Sequence, residues 1–528
     1  MKLLLHNIKA DLKDPEAGAL AAAEEKLRAV GLRSSALHLT KRSVDARKRE
    51  EICYVCSVMA EISGKPTEKQ LQKLGAVILR EEELIPVGAK RKRAADAPRP
   101  VIVGFGPAGM FAALLLAEEG YAPIVLERGS DVVTRTADVE RFLQSGVLDT
   151  DSNVQFGAGG AGTFSDGKLI TRINDSRCSY VLRRLVEFGA DPDILVNARP
   201  HIGSDRLPLV VEGIAQRICS LGGEIRYRTK LVGIRTGAVG QVTAAVTDSG
   251  EIATDAILLA IGHSARDTYR YLIDGGYTVE AKPFSVGVRI EHLQTDINEA
   301  MYGSAAEILP PAEYNLSYRQ GERGVYSFCM CPGGTVMAAA SEEGGVVTNG
   351  MSNAARDGRN SNSAIAVSVL PADFGGTPDG AIAFQRQLEQ RAFAMGGSNY
   401  FAPMQTVGDF LGGRQGSEPS RILPTYRNGE GCTLCDLHGL FPDFVSDLLA
   451  TGIRRFARQI EGFDAADALL TGPETRTSAP VRILRGADRQ AIGHPGLYPS
   501  GEGAGYAGGI TSAAIDGLAS AIAMIWEA

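Results

Sequence analysis

The sequence predicts an α/β protein in which a parallel-sheet domain is split in two by an inserted α+β domain and preceded by a small α+β domain. Three observations predict this. Residues 100–127 read strand, glycine-rich turn, helix, strand and acid, residues 496–517 are dense in glycine just before the last helix, and residues 286–480 are irregular with long loops. A chain of 528 residues exceeds what one core normally organises. The predicted domains are residues 1–97, 98–285, 286–480 and 481–528.

The N-terminal domain is predicted from three strands and one helix. The strands are expected at Leu3–Ile8, at 36–40 and at 52–62, and Gly31 ends the helix. A basic turn at 41–51 and the segment "GAKRKRAADAPRP" supply a charge of +5 over residues 1–97, against −12 for the remainder. Basic runs of this kind either contact RNA or another anionic partner or form a solvated surface, and both alternatives stay open. The acidic body makes nucleic acid an unlikely partner there.

Bulk composition predicts an ordinary globular protein. Apolar residues make up 44% and charged residues 22% of the chain, and the net charge is −7. No apolar run reaches the roughly 18 residues that span a bilayer, and the start "MKLLLHNIKADLKD" is too short in apolar residues for a signal peptide. We therefore expect a cytoplasmic protein with no membrane partner.

The eight cysteines raise the question of a metal site. Cys53 and Cys56, and Cys432 and Cys435, have CxxC spacing, which is typical of zinc ligands. Cys53 and Cys56, however, lie in a strand-like run, where positions three apart point to opposite faces. We expect buried or free thiols of a reducing compartment, and no metal.

A nucleotide site is predicted in "RPVIVGFGPAGMFAALLLAEEGYAPIVLERG". Gly104 permits a tight turn, Gly106 lets a pyrophosphate approach the backbone, and Gly109 lets the helix pack on the strand. The N–H groups at the helix start then face the phosphates. Glu127 ends the second strand, where a carboxylate accepts ribose hydroxyls, and Arg128 follows it. The whole order makes the assignment stronger than a lone GxGxxG.

The glycine-dense segment "GLYPSGEGAGYAGGITSAAIDG" decides between NAD and FAD. NAD needs no such segment nearly 400 residues downstream, whereas FAD carries a ribityl chain and a ring that need a second site. Glu502 is expected to bind ribityl hydroxyls, and a helix beginning near Gly509 to point its N-terminus at the ring, which favours the anionic reduced form. The sequence therefore predicts FAD.

These motifs resemble those of the glutathione-reductase-type flavoproteins, with Gly501-Glu502 where that group usually has Gly-Asp. The resemblance implies that the strand ending in Ala260 and Gly262 lies beside FAD, and that the strand near Leu231 and Val232 meets the adenine. The segments "NVQFGAGGAGTFSDGKL", "SFCMCPGG", "GPETRTSAPVRI" and "GEGAGYAGGI" are similar to those of the poorly characterised bacterial FAD-dependent dehydrogenase family, often labelled NAD(P)/FAD-dependent oxidoreductase. That likeness covers nearly the whole chain. It implies that residues 159–168 wrap the pyrophosphate and the inner edge of the flavin. The predicted cofactor-binding residues are Gly104, Gly106, Pro107, Ala108, Gly109, Glu127, Arg128, Gly159, Gly160, Thr163, Lys168, Val232, Ala260, Gly262, Gly501, Glu502, Gly509, Ile510 and Thr511.

Four residues are candidates for the chemistry. Lys168 can neutralise phosphate or lie over the flavin. Arg476 anchors an anionic substrate or stabilises reduced flavin, or else pairs with Glu474. Two residues apart on a strand, Cys329 and Cys331 share a face and form either a redox pair or part of the core, with Cys331 the candidate. His263 acts as an acid or base, or satisfies local backbone.

We therefore predict a FAD-dependent dehydrogenase that transfers hydride between FAD and an unidentified small-molecule substrate. Only one complete dinucleotide fingerprint occurs, so electrons are expected from the substrate, from a transiently bound NAD(P)H or from a protein partner. The alternatives are a flavoprotein that acts on or binds RNA through its N-terminal domain, and a flavin-bound scaffold without turnover.

Overall fold

The structure is a computed structural model that describes residues 1–79, 97–171 and 173–527, with side chains as far as residue 525. The mixed α/β class is confirmed. The basic "KRKR" linker at 90–93 lies outside the described residues. The described residues form three units: an N-terminal unit (1–79), a parallel-sheet unit (97–281 and 481–527) and an inserted unit (284–474, with the segment 475–480 that follows it).

The N-terminal unit is a four-stranded antiparallel sheet in the order β2-β3-β1-β4, with two helices. Its apolar residues alternate along the strands, and the inward set packs against α1, so this unit has a core of its own. The elements are β1 Lys2–Ala10, α1 Pro15–Ala29, β2 Ser34–Asp45, β3 Cys53–Ile62, α2 Glu68–Leu74 and β4 Ala76–Ile78.

The strands and helix predicted in this unit are confirmed, with one correction. The strand expected at 36–40 runs from Ser34 to Asp45, so half of the predicted basic turn is strand paired with β3. Arg42 also docks this strand on the parallel-sheet unit, because its guanidinium lies 2.7 Å from Asp193 and its amide donates to the Val196 carbonyl. Tertiary pairing overrides the polar composition of the segment.

The parallel-sheet unit contains a five-stranded parallel sheet in the order β23-β11-β5-β6-β7, with β8, β9 and β10 in a separate antiparallel sheet. The three strands β5, β6 and β11 are apolar and fully buried, as strands covered on both faces should be. Its elements are β5 Val101–Val103, α3 Pro107–Glu118, β6 Ile124–Leu126, α4 Val132–Ser145, α5 Arg177–Glu187, α6 Leu207–Ser220, β7 Glu224–Arg226, β8 Leu231–Thr236, β9 Val242–Thr247, β10 Gly250–Ala253, β11 Ile257–Leu259, α7 Arg266–Asp274, β12 Val279–Ala281, β22 Val481–Ile483, β23 Leu497–Pro499 and α12 Ile510–Glu527.

The inserted unit is built on a seven-stranded mixed sheet in the order β14-β15-β18-β13-β21-β19-β20. The central strands β13 and β18 pair along their whole length and are almost wholly buried. Its elements are β13 Phe284–Leu293, α8 Gln294–Tyr302, β14 Ser317–Gln320, β15 Arg323–Cys331, β16 Thr335–Ala338, β17 Thr348–Met351, β18 Asn360–Val369, α9 Pro378–Met395, β19 Ala402–Thr406, α10 Val407–Gly412, β20 Cys432–Leu434, α11 Asp443–Phe456 and β21 Leu469–Glu474.

The inserted unit leaves and rejoins the parallel-sheet unit at one place, because β12 pairs antiparallel with β22. The chain therefore returns to the parallel sheet beside the point where it left. β23 then pairs with β11 and adds the final strand, and α12 packs on α3. This path brings segments nearly 400 residues apart in the chain to the same edge of one sheet.

Candidate functional site

A cavity opens at the edge where β5, β6, β11 and β23 end. In parallel α/β sheets the carboxyl ends of the strands are the usual ligand-binding edge. The inserted unit closes the opposite side of the cavity with residues of β15, β17 and β21. Of the sequence-predicted residues, the following line it: Gly104, Gly106, Pro107, Ala108, Glu127, Arg128, Gly160, Lys168, Ala260, Gly262, His263, Arg476, Glu502, Gly509 and Ile510.

The turn after β5 is shaped by glycines that no larger residue can replace. Gly104 has φ +96°, and a Cβ added there would lie 2.3 Å from the Ala260 carbonyl oxygen. Gly160 has φ +65°, and its Cβ would lie 2.9 Å from the Cα of Gly106. Gly106 caps α3 without a side-chain hydrogen bond. The first N–H groups of α3 therefore face the cavity with no side chain in front of them.

Glu127 lies buried at the end of β6, where it ties three turns together. One carboxylate oxygen accepts from Phe105 N (2.8 Å), and the other accepts from Gly129 N (2.9 Å) and Gly157 N (3.0 Å). Each carboxylate oxygen accepts more than one hydrogen bond, so this side chain can still bind a hydroxyl from the cavity.

Arg128 lies beside Glu127 and is held by two carboxylates. Its guanidinium pairs with Asp151 at 2.8 Å and with Asp267 at 2.9 Å, and lies 4.2 Å from the ring centre of Phe156. These partners neutralise its charge. Arg128 therefore offers a flat surface to the cavity in place of a free cation for phosphate.

The second helix start lies at the other end of the cavity. A Cβ added at Gly508 or Gly509 would meet nothing within 4 Å, and Gly509 has φ +125°. Further along α12, a Cβ at Gly517 would lie 2.0 Å from the Ala108 carbonyl oxygen, so α12 crosses closely over the beginning of α3. The two helix starts reach the same cavity because Gly517 lets α12 cross α3 at close range.

Glu502 is the carboxyl group of this second segment. Burial raises its pKa to about 7, against the opposing effects of Lys282 and of the Gly509 N–H. A carboxyl with this pKa holds a proton part of the time at neutral pH. Glu502 can therefore both accept and donate hydrogen bonds to a ligand with hydroxyl groups.

The residues present fit a dinucleotide of the length of FAD. One end of the cavity has the helix start at Gly106 and the carboxylate of Glu127, which suit a diphosphate and a ribose. The other end has the helix start at Gly509, and Gly262 leaves open space beside it. Glycine clears both approaches, so a bulky planar group can lie directly against backbone.

Six residues predicted to contact the cofactor, all in the described part of the chain, lie outside this lining: Gly109, Gly159, Thr163, Val232, Gly501 and Thr511. Val232 is 46% exposed, while its neighbours Lys230 and Leu231 line the cavity. Of the two predicted residues Leu231 and Val232, only Leu231 lines the cavity, because adjacent side chains of a strand point to opposite faces.

The other five residues pack behind the cavity lining. Thr163 and Thr511 are buried and donate to the Ala158 and Leu169 carbonyls at 3.1 and 2.8 Å. Gly501 N donates to Asp516 at 2.8 Å. A Cβ at Gly109 or Gly159 would strike a neighbouring atom at about 2 Å. These residues form the layer that supports the lining.

Arg135 on α4 is a supporting residue that the sequence interpretation missed. Its side chain is fully buried and donates to the carbonyls of Asn153, Val154, Ala158 and Gly160 at 2.7–3.0 Å. Burial lowers its pKa to about 10, so it keeps its charge at neutral pH. A single guanidinium thus fixes the 153–160 loop. Its helix carries no local pattern that distinguishes this arginine from a surface one.

His263 lines the cavity after β11 but is a poor acid. Burial and the nearby charges of Arg476 and Arg266 lower its pKa to about 3. The ring Nδ1 lies 3.0 Å from the Ser264 hydroxyl. At neutral pH His263 is an uncharged hydrogen-bonding group.

Arg476 also lines the cavity, but the pairing with Glu474 that the sequence suggested is wrong. Arg476 makes two hydrogen bonds, of 3.0 and 3.1 Å, to Glu389 on α9. Arg266 on α7 grips the same carboxylate at 2.7 and 2.8 Å. Glu474 pairs instead with the buried Arg289 at 2.8 Å. Glu389 thus joins the inserted unit to the parallel-sheet unit through the buried Arg266.

Lys168 belongs to a second charged cluster, at the wall of the cavity. Its ammonium lies 3.1 Å from Asp166 and 3.5 Å from Glu313 and donates to the Met330 carbonyl. Arg356 holds Asp166 from the other side at 2.5 Å. Burial opposes the charged form of Lys168, but these carboxylates outweigh it and raise its pKa. Lys168 is a charged, partly exposed group of the wall.

The prediction that Cys329 and Cys331 share one face of a strand needs a correction. The β15–β18 pairing is irregular between Phe328 and Cys331, and Cys329 has φ +45°, so the strand alternation fails there. Cys329 lines the cavity, whereas the candidate Cys331 is completely buried behind it. All eight cysteines are free thiols. Among the described residues, no three His, Cys, Asp or Glu side chains gather as a metal site would require.

Two further features bear on partners. In the described ranges, no helix combines the length and apolar character that crossing a bilayer requires. On the N-terminal unit, Arg42, Arg47 and Lys48 of the basic stretch each pair with a carboxylate. These carboxylates balance part of the positive charge of that stretch.

Comparison with known proteins gives one family match and one near relative. Residues 283–477 match the family described as "FAD-dependent protein, C-terminal domain-like". An uncharacterized protein of Clostridium beijerinckii is 48% identical over 494 residues, which covers 92% of this chain and 91% of that protein.

Solved structures show only weak likeness. CtdE in complex with FAD is 12% identical, covers 81% of this chain and 84% of its own, and has a TM-score of 0.33. Glycine oxidase from Bacillus cereus (10% identity, 82% and 96% coverage, TM-score 0.32) and L-amino acid deaminase from Proteus vulgaris (12%, 82% and 95%, 0.33) are similar in degree. Scores of this size carry no structural assignment, so the identification rests on the family match and the relative. The chain belongs to the family of the C. beijerinckii protein, a family of FAD-dependent proteins, and its cofactor is FAD.

Proposed function

We propose that the protein is an FAD-dependent oxidoreductase, a dehydrogenase in which hydride passes between a small-molecule substrate and non-covalently bound FAD. The observation that carries the proposal is the shared cavity. One half of its lining is the backbone of two helix starts, which glycines leave uncovered, and the other half is polar side chains of the inserted unit. We further propose that the parallel sheet is a Rossmann-type domain split by the insertion at 284–474, as in glutathione-reductase-type flavoproteins.

Residues of both helix starts would hold the cofactor. Gly106 and Gly160 would receive the diphosphate, Glu127 the ribose, and Glu502 the ribityl chain. Bound FAD supplies a two-electron acceptor for hydride. The helix start at Gly509 provides a positive dipole end, which favours negative charge on a ring beside it.

Substrate would enter on the side of the inserted unit. Cys329, Asn349, Glu474, Arg476 and Thr477 line that side, and they supply hydrogen bonds to orient a polar molecule. His263 is neutral at pH 7, so it can orient substrate but not donate a proton as an imidazolium. Glu502, with a pKa near 7, is the group suited to hold or release a proton there.

Anaerobic reduction tests this function. Purified yellow protein is mixed with NADH, NADPH and a metabolite library, and the flavin band near 450 nm is followed. Bleaching by one small molecule supports the dehydrogenase, and bleaching by a nicotinamide identifies the transient donor. A flavin that no compound reduces would favour the scaffold alternative, and salt-sensitive RNA binding by the full chain would favour the RNA alternative. A cytoplasmic location remains part of the proposal, since the thiols are free.

A further inference from the structure

A pair of thiols lies where the inserted sheet meets the flavin cavity. Cys329 is partly exposed and lines the cavity. Cys331 is fully buried behind it, and its Sγ donates to the Cys329 carbonyl at 3.3 Å. The bulge in β15 is what turns one cysteine toward the cavity while its partner stays in the sheet. The two thiols thus have different access but remain in contact.

Two cations hold the backbone of this pair. Arg289 donates to the Cys329 carbonyl at 2.8 Å, and Lys168 donates to the carbonyl of Met330, the residue between the cysteines. Arg289 is itself fixed by Glu474 and by the side chains of Asn349 and Asn362. The backbone of the segment is therefore held from two sides by cationic side chains.

The environment separates the two thiols chemically. The hydrogen bond from Cys331, then Arg289 and Lys168, lower the pKa of Cys329 to about 6 against burial and Asp166. The same contact and burial raise the pKa of Cys331. Glu502 is a further titratable group close enough to interact with Cys329. At neutral pH this arrangement is a thiolate at the cavity with a protonated thiol beside it.

The backbone also singles out this position. Cys329 has φ +45°, a left-handed conformation that costs a non-glycine residue free energy and persists where the surroundings impose it. The second pair in the inserted unit shows the contrast. Cys432 and Cys435 lie away from the cavity lining, and burial raises the pKa of both. Thiols whose pKa is raised in this way stay protonated at neutral pH and react slowly.

We propose that Cys329 and Cys331 form a redox-active dithiol that exchanges two electrons with the flavin. This inference rests on the proposed flavin site. In the forward step, the Cys329 sulfur and the Cys331 sulfur form an S–S bond, the S–H bond of Cys331 breaks, and one proton and two electrons pass to oxidised FAD. FAD is thus reduced as the dithiol is oxidised, and the reverse step regenerates the dithiol. The cavity would then hold two two-electron centres.

Counting electrons tests the proposal without any substrate. Purified flavin-loaded protein is oxidised with diamide, freed of it, and titrated anaerobically with dithionite. The native protein should take up about two electron pairs per FAD, and Cys329→Ser and Cys331→Ser about one, because a dithiol couple carries two electrons. Cys435→Ser, the control in the second pair, should still take up about two. A native protein that takes up only one pair, or cysteine variants that still take up two, would overturn the proposal.

Alkylation provides a readout that needs no variant. Reduced, flavin-loaded protein is treated with iodoacetamide at pH 7, and the labelled cysteines are identified by mass spectrometry. We expect Cys329 to react at least about tenfold faster than Cys435, because the thiolate is the nucleophile. Equal rates would contradict a cavity thiolate. A colourless protein that refuses FAD would overturn the flavin site itself, whereas a yellow protein with one electron pair would overturn only the dithiol.

Discussion

The parallel-sheet unit and the inserted unit build opposite halves of one cavity by different means. In the first, the binding surface is backbone: glycines at 104, 106, 160 and 509 expose helix starts that no side chain covers. In the second, it is side chains whose charges are balanced by partners far away in the chain, such as Arg476 with Glu389. A backbone site is encoded locally and tolerates little substitution, whereas a side-chain site depends on distant pairing.

The two halves of the cavity should also respond differently to substitution. Substitutions at Gly106 and Gly509, where an added Cβ would meet no close atom, should remove cofactor while the fold survives. Substitutions in the charged half should remove stability first, because they leave a buried charge unpaired.

Replacing Glu389 should have the largest effect. Glu389→Gln removes the fully buried carboxylate that Arg266 and Arg476 share and leaves them the partly exposed Glu342, and we expect a loss of about 3–5 kcal/mol in the free energy of unfolding. Urea denaturation followed by circular dichroism measures it. The matched control is Glu251→Gln, which breaks an exposed pair with Arg235 and should leave stability nearly unchanged. Equal effects of the two substitutions would mean that the charged half is not held by its buried pairs.

Arg135 is a test in the opposite half. Arg135→Met removes a donor from four buried carbonyls, so we expect a loss of about 3 kcal/mol in unfolding free energy and weaker retention of FAD. Arg141→Met on the same helix is the control, since that side chain is half exposed and pairs only with Asp138. Denaturation and flavin release on gel filtration are the measurements. A stable variant that keeps its flavin would show that the 153–160 loop keeps its conformation without Arg135.

Gly106→Val tests the backbone half without a large cost in stability. A Cβ there meets only the Gly160 Cα, at an ordinary 3.6 Å, so the fold should survive while the side chain occupies the approach to the helix start. We expect FAD affinity to fall at least about 100-fold, or about 2.7 kcal/mol, in a fluorescence titration. Gly439→Val, at an exposed glycine outside the cavity, is the control. Unchanged affinity for FAD would show that this helix start is not part of the binding site.

Glu502 should produce the smallest effect, through pH. Its pKa is raised in the folded chain from 4.5 to about 7, so the folded state binds more protons than the unfolded state across that interval. The stability that Glu502 contributes is therefore fully present below about pH 4.5 and is lost as the pH rises through 7. In flavin-depleted protein we expect a loss of about 2.5 kcal/mol over this range, absent in Glu502→Gln. Parallel profiles for the two proteins would show that Glu502 is not shifted.

The backbone half was largely predictable from the sequence because its determinants are local. Glycines at fixed spacing after a buried strand, followed by a helix and an acid, identify the turn at Gly104–Gly109 and place Glu127 at the end of β6. The second strand and the acid predicted at the end of residues 100–127 are β6 and Glu127. What failed there was detail that depends on packing, as at Val232, where the register of one strand decides which neighbour faces the cavity.

The charged half was not predictable, because its partners are far apart in sequence. Glu389 is 87 residues from Arg476 and 123 from Arg266, and proximity in the chain wrongly suggested Glu474. The bulge at Cys329 depends on how β15 pairs with β18, about 35 residues away, so the alternation rule wrongly placed both cysteines on one face. Pairing across a sheet and across units is settled only by the folded chain.

The structure of the flavin-loaded protein determined by X-ray diffraction tests the central claim most directly. The account predicts continuous density for one FAD that begins beside Glu127, passes between Gly106 and Gly160, and ends with its ring against Gly509 and within contact distance of Cys329. Density for FAD elsewhere, or contact with only one of the two helix starts, would contradict it.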